Sequence, residues 1–318
     1  MSARRSFVPL AALSLVAGGA LAGCGGQSAG DAKPPASTSA SSATSAPAST
    51  PASTPASTPA STPASPSASG PPSASPGSTT AEPVYYLVDT GARGGLRLAR
   101  EPHDLAGATR AETATAAVQA MIAGPDDPDY VTTWNPDTQV LGIARHRRVV
   151  SVDLSEDART ASVGSEGAAR MIQQLVWTVT EVMGPKARVQ LLIDGKPAGE
   201  LWGAVTWDRP VRRADPMDVR LLVQIDEPRE GSTTSSPLSV SGEAAAFEAN
   251  VPWRVLNAKG RVVRQGSALA SEAMTFSPYS FTVRLRPGTY TVQVVEDDPS
   301  GGEAPGRPMQ DTRTFTIQ

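Results

Sequence analysis

Residues 165–195 read SEGAARMIQQLVWTVTEVMGPKARVQLLIDG, and the spacing of their apolar positions changes once along the way. Ala168, Met171, Ile172, Leu175, Val179 and Val182 recur every three or four residues, which is the inner face of a helix. Ser165 is placed to cap that helix and Gly184 to end it. From Arg188 to Ile193 the chain becomes a β-rich run that meets Asp194-Gly195, a strong signal for a tight hairpin. A helix feeding directly into a strand and a hairpin sets this part of the chain among mixed α and β folds.

Reading outward toward the N-terminus, Val84-Tyr85-Tyr86-Leu87-Val88 is β-rich and opens the structured sequence, and a second short strand is expected over Leu96 to Arg100. Thr109-Arg110-Ala111-Glu112 has the spacing of a capping box, with Thr bonding forward and Glu bonding back. Ala114, Ala117, Val118, Met121 and Ile122 then share one helical face, and Gly124-Pro125 stops the helix. Strands over Gln139 to Ile143 and Val149 to Leu154 flank the polar turn Arg145-His146-Arg147-Arg148. The predicted unit, 84–215, is an α+β domain with a mixed sheet and two helices.

Toward the C-terminus the pattern is all-β over 216–318. Val219, Leu221, Val223 and Ile225 alternate, as do Trp253 and Val255, Phe281, Val283 and Leu285, Tyr290, Val292 and Val294, and finally Phe315 and Ile317. Turn signals at Glu230-Gly231, Lys259-Gly260, Pro287-Gly288 and Gly301-Gly302 separate them. About seven short strands in roughly 100 residues are expected to form an immunoglobulin-like β-sandwich. The chain has a single cysteine, so no disulfide pins it.

Several of these segments resemble known domains. Val84 to Leu87, Ala123-Gly124-Pro125, Val150-Ser151-Val152-Asp153-Leu154-Ser155 and Val189 to Pro197 are similar, in that order, to the sporulation and germination domain GerMN. Ile225-Asp226-Glu227-Pro228, Ser236 to Gly242 and Ala246-Phe247-Glu248-Ala249 are similar to the immunoglobulin-like domain that accompanies GerM-type domains in bacterial lipoproteins. The resemblance implies scaffolding or signalling in the cell envelope, with self-association as a further expectation.

The first residues read as an export signal, 1–23. Arg4 and Arg5 precede an apolar stretch from Phe7 to Ala20, too short for a permanent membrane span. It closes on Leu21-Ala22-Gly23-Cys24, which looks like a lipobox: the small Gly23 admits the peptidase, and the thiol of Cys24 takes a diacylglyceryl group. The lipid, with palmitate-type chains, is expected to hold the protein on the extracytoplasmic face of the cell membrane. Residues 24–83 form a tether rich in Pro, Ala, Ser and Thr, with four tandem Pro-Ala-Ser-Thr units from Pro47 to Thr62. A segment so poor in large apolar side chains is expected to stay disordered and to span about 40–45 Å as a coil.

The whole chain has 318 residues, a net charge of −3 and 39% hydrophobic residues, with no global basic field for nucleic acid. With its cysteine assigned to the anchor and only two histidines, it has little material for metal binding or for a His-based triad. His103, beside Pro102, and His146 are expected in surface turns. Asp126-Asp127-Pro128-Asp129 is expected to be a solvated loop, because proline interrupts any calcium-loop spacing. No cofactor, metal or catalytic residue is assigned. Two recognition features remain. Arg145, His146, Arg147 and Arg148 make a cationic tip suited to anionic wall polymers or lipid headgroups. Trp202 and Trp207 are candidates for an interface patch with Tyr130 and Trp134. The expected function is therefore a non-enzymatic envelope lipoprotein that binds envelope proteins or cell-wall polymer. The alternative is an envelope enzyme acting on peptidoglycan or polysaccharide through surface carboxylates, which calls for a cleft holding two acids.

Overall fold

The structure is a computed structural model that describes residues 79–91, 94–299, 303 and 307–318. The export signal, Gly23 and Cys24 of the lipobox, and the tether up to residue 78 lie outside the described residues. The chain begins with an antiparallel pair, β1 (Thr79–Asp89) and β2 (Leu96–Ala106). Both strands are longer than the sequence suggests. β1 starts ahead of Val84, and β2 runs on through Pro102 and His103. Proline cannot donate to a ladder, which makes Pro102 look like a strand end. In the observed register Pro83 faces Pro102, so the two missing donors coincide and the pairing continues beyond them.

Helix α1 (Arg110–Ala123) starts with the expected capping box, Thr109 Oγ1 accepting from Glu112 N–H and the Glu112 carboxylate accepting from Thr109 N–H. It ends at Gly124, whose φ of 110° suits glycine. Strands β3 (Val140–His146) and β4 (Val149–Leu154) form the arginine-tipped hairpin. Helix α2 (Ser165–Met183) then crosses to β5 (Arg188–Ile193), which lies parallel to β4, and the Asp194-Gly195 turn leads into β6 (Lys196–Pro197). Ser165 is the first helical residue rather than the cap, because Gly164 holds that position. The sheet order is β3-β4-β5-β6, and a small hairpin, β7 (Gly199–Leu201) with β8 (Val205–Trp207), follows it.

α2 is buried on more than one face, since α1, β1 and β5 all pack on it. Two of its polar side chains, one turn apart, dock the edge of β1. Thr178 Oγ1 accepts from Tyr85 N–H at 3.1 Å, and Gln174 Nε2 donates to Tyr85 O at 3.0 Å. Backbone groups that a neighbouring strand would satisfy are satisfied here by a helix.

After a short helical turn, α3 (Pro216–Val219), the sandwich begins with β9 (Val223–Glu227). The alternation read from Val219 therefore starts four residues later, because Asp215 caps a turn at Pro216 by accepting from Met217 N–H. The remaining strands are β10 (Thr233–Thr234), β11 (Leu238–Ala244), β12 (Asn250–Asn257), β13 (Val262–Leu269), β14 (Ser277–Val283), β15 (Gly288–Val295) and β16 (Gln310–Ile317). They form one sheet ordered β10-β16-β15-β12-β13 and a second ordered β14-β11-β9. Gly242 has a steric task at a bulge in β11: a Cβ there would stand 1.9 Å from Gln224 O.

Two apolar interiors result. One gathers β1, β2, both long helices and β4–β5 around Tyr85, Met121, Leu175 and Trp207, and it also takes Leu221 and Met309. The other fills the sandwich around Val223, Val240, Val255, Val292, Phe315 and Ile317. The strand β16 and the residue before it thus contribute to both.

Candidate functional site

At the tip of the β3–β4 hairpin, Arg145, His146, Arg147 and Arg148 are all exposed. Arg145 is the ordered one. Its Nε donates to Arg147 O at 2.9 Å and its Nη1 to Met183 O at 2.5 Å, which places a cation on the last turn of α2. The structure brings further cations to this end. Arg188 N–H donates to Arg148 O at 2.8 Å, Lys186 precedes it in the α2–β5 corner, and the Val189–Val211 bridge sets Arg212 beside Arg188. These three come from separate elements, and no local motif in the sequence connects them to the hairpin.

The tryptophans do not form an exposed patch. Trp207 is 1% exposed, inside the first interior. Trp202 is half-buried, lies edge-on to the buried Trp134 at 5.5 Å, and donates its Nε1–H to Ala158 O. Tyr130 is buried elsewhere, where the two modules meet. Packing therefore uses Trp207, Tyr130 and Trp134, contrary to the surface role expected of them, and Trp202 alone stays part-exposed.

The expected solvated loop at Asp126–Asp129 is exposed at Asp126, Pro128 and Asp129, but Asp127 departs from it. Asp127 is 2% exposed and pairs with Arg313 of β16, itself 1% exposed. Arg313 also reaches Asp311 Oδ1 at 3.0 Å, Tyr130 Oη at 2.9 Å and Ile225 O at 3.1 Å. Tyr130 O–H donates to Asp311 at 2.6 Å, and Thr312 O–H donates to Asp129 at 2.5 Å. A second link joins Arg100 of β2 to Asp226 through two bonds of 2.9 and 2.6 Å, and to Glu243 at 2.8 Å. Arg220 shares Glu243 and lies over the Phe276 ring at 4.0 Å. A third, more exposed link joins Arg229 to Asp104. The Arg313 and Arg100 links are largely withdrawn from water, and buried pairs of this kind fix geometry wherever both partners are present.

Residues 83–199 match the family described as "Sporulation and spore germination", and residues 222–303 match the family described as "Immunoglobulin-like domain of bacterial spore germination". The chain carries both domains in tandem. Among solved structures, the tandem GerMN domains of the sporulation protein GerM from Bacillus subtilis are 19% identical over 43% of this chain and 46% of theirs, with a TM-score of 0.36. The first GerMN domain of that protein matches over 43% of this chain and all of its own, at 20% identity and a TM-score of 0.34. A putative lipoprotein from Clostridium perfringens matches over 42% of this chain and 86% of its own, at 16% identity and a TM-score of 0.30. This chain thus spans under half the length of the tandem-domain structure. No curated protein matches it.

Between the GerMN and immunoglobulin-like domains, beside Arg313, lies a cavity of about 220 Å³ lined by Glu101, His103, Asp104, Asp126, Arg229 and Glu230. His103 belongs here and not to a surface turn. Its Nε2 is 3.0 Å from Tyr86 Oη and 3.4 Å from Glu101 Oε2. Glu101 accepts from the N–H groups of Asp126 and Asp127, Asp104 from Arg229, and Glu230 from Thr314 N–H. Of these acids Asp104 bridges the two domains, while Glu101 and Glu230 bond within their own. Among the described residues, no group of three or more side chains is arranged to hold a metal ion.

The junction's carboxylates differ in character. Burial works against the ionisation of Glu101, yet hydrogen bonds from His103 and from two backbone N–H groups hold it below the ordinary carboxylate value. Asp127 goes the other way: burial pushes it up to about 7 despite Arg313, which it shares with Asp311. An Asp with a raised folded-state value binds more protons folded than unfolded. Its contribution is full below the unfolded value near 4 and is lost as pH rises through about 7. Wild-type protein is expected to lose about 2–3 kcal/mol between pH 5 and 8 from this group. Urea titrations of Asp127→Asn across the same range should lack that fall. An identical pH profile for the variant would show that Asp127 is ionised throughout.

Proposed function

We propose that the chain is a non-enzymatic lipoprotein of the cell envelope, held by a lipid on Cys24 at the outer face of the cytoplasmic membrane, that acts as a binding or scaffold module. The observation that carries this reading is the junction. Three arginine–carboxylate links and a shared last strand join the GerMN and immunoglobulin-like domains. The result is one stiff body presenting surfaces behind a lipobox, a design for contact with envelope proteins or wall polymer. Self-association through either domain belongs to the same reading. Action is by recognition, with the tether setting the volume searched.

The anchor is tested by Cys24→Ser. Cells expressing the wild type should hold the protein in the membrane fraction, with an acylated N-terminal peptide by mass spectrometry. The variant should leave the membrane fraction on a high-salt wash that does not release the wild type, since no acyl chains are attached. A wild-type Cys24 without lipid would remove the anchor.

A further inference from the structure

The GerMN domain gathers a cationic end from three separate elements: Arg145, Arg147 and Arg148 at the β3–β4 turn, Lys186 and Arg188 at the start of β5, and Arg212 beside them. Among the described residues, Arg147, Arg148, Lys186, Arg188 and Arg212 make no side-chain ion pair with a carboxylate. Arg145 alone has an evident structural task, on the α2 carbonyls.

Arg147 is the telling residue. It occupies the two-residue connection between the paired His146 and Val149 with φ at 55°, the left-handed region in which glycine is at ease and a long L side chain is not. Its exposed side chain makes no hydrogen bond to a described residue that would offset this. The same conformation recurs at Asp194, Trp202, Glu248, Ala249 and Met274, so what sets Arg147 apart is its exposed guanidinium, which pairs with no described carboxylate.

The position of this end says what lies outside. Glu82 is close enough to Glu181 for their charges to interact, and Tyr85 O–H donates to Glu181 at 3.2 Å. The start of β1 therefore runs beside the last turn of α2, where Arg145 sits. The chain enters the domain from the tether at the same end as the cations. Glu82 and Glu181 are the acids nearby, and Arg213 pairs with Glu181 at 2.6 Å.

We propose that this end is a docking surface for a membrane rich in anionic phospholipid headgroups, and that it seats the domain against the bilayer that holds the tether. The proposal rests on the anchored reading above. It supplies the second signal that turns a lipid attachment into a fixed orientation.

The test uses the purified full chain carrying Cys24→Ser, so that no lipid is attached, with vesicles of phosphatidylcholine alone or mixed with phosphatidylglycerol. Every variant keeps the same leader and tether, so differences between them report the domain. Sedimentation should show binding that requires phosphatidylglycerol and falls with salt. Arg147→Gly should bind roughly fivefold more weakly while its Tm stays level or rises. Arg147→Glu with Arg148→Glu should abolish binding while the circular dichroism spectrum is retained. Equal partitioning onto both vesicles, unchanged partitioning of Arg147→Gly, or retention by immobilised polyphosphate with none by the charged vesicles would overturn the proposal. Acylation of Cys24 in cells is decided separately by mass spectrometry of the N-terminal peptide, so the two ideas fail independently.

Discussion

Replacing Arg313 by Met is expected to cost about 3–5 kcal/mol, because it strands two carboxylates in the interior. Asp127 and Asp311 are 2% and 1% exposed at the side chain, and Arg313 is the cation that touches both. Without it the remaining donors are Tyr130 O–H and backbone N–H groups, too few to satisfy two carboxyl groups shut away from water. Urea denaturation measures the loss, and a split into two transitions would report the domains parting. The variant combining Arg313→Met with Asp127→Asn and Asp311→Asn should regain most of the stability, since removing all the charges is far less harmful than removing one. A loss under about 1 kcal/mol for the single variant would mean that the network contributes little to holding the domains together.

Trp207→Ala is expected to be equally damaging, at about 3–5 kcal/mol, through the cavity it leaves. The ring is fully inside the first interior, on β8 opposite Gly199. A tryptophan serving as a surface contact would behave differently, with a stability change within about 0.5 kcal/mol. Thermal unfolding of Trp207→Ala beside Trp202→Ala, whose ring is half-buried, separates packing from surface display. A Tm for Trp207→Ala matching wild type would return that residue to the surface.

Much of the GerMN domain was legible because its signals are local. The Thr109–Glu112 capping box, the Gly124 stop, the apolar face of α2 and the Asp194-Gly195 turn each depend on residues a few positions apart. What escaped the sequence depends on distant partners. Asp127 looks like a loop aspartate until Arg313 meets it. The aromatic residues Tyr130 and Trp207 are surface candidates by type, and only their neighbours bury them. The cationic end was half legible: its hairpin arginines are contiguous, whereas Lys186, Arg188 and Arg212 arrive through β5 and the bridge at Val211. The Arg147 backbone, at a φ no composition reveals, was not legible at all.

Met309 joins the interior of the GerMN domain, while Phe315 and Ile317, a few residues on, fill the sandwich. Peeling that one ribbon away, by a proteolytic nick or by mechanical pull, would empty both lobes together. A half-melted molecule with one lobe intact is thus a state this architecture disfavours, and damage should register as wholesale loss instead of gradual wear.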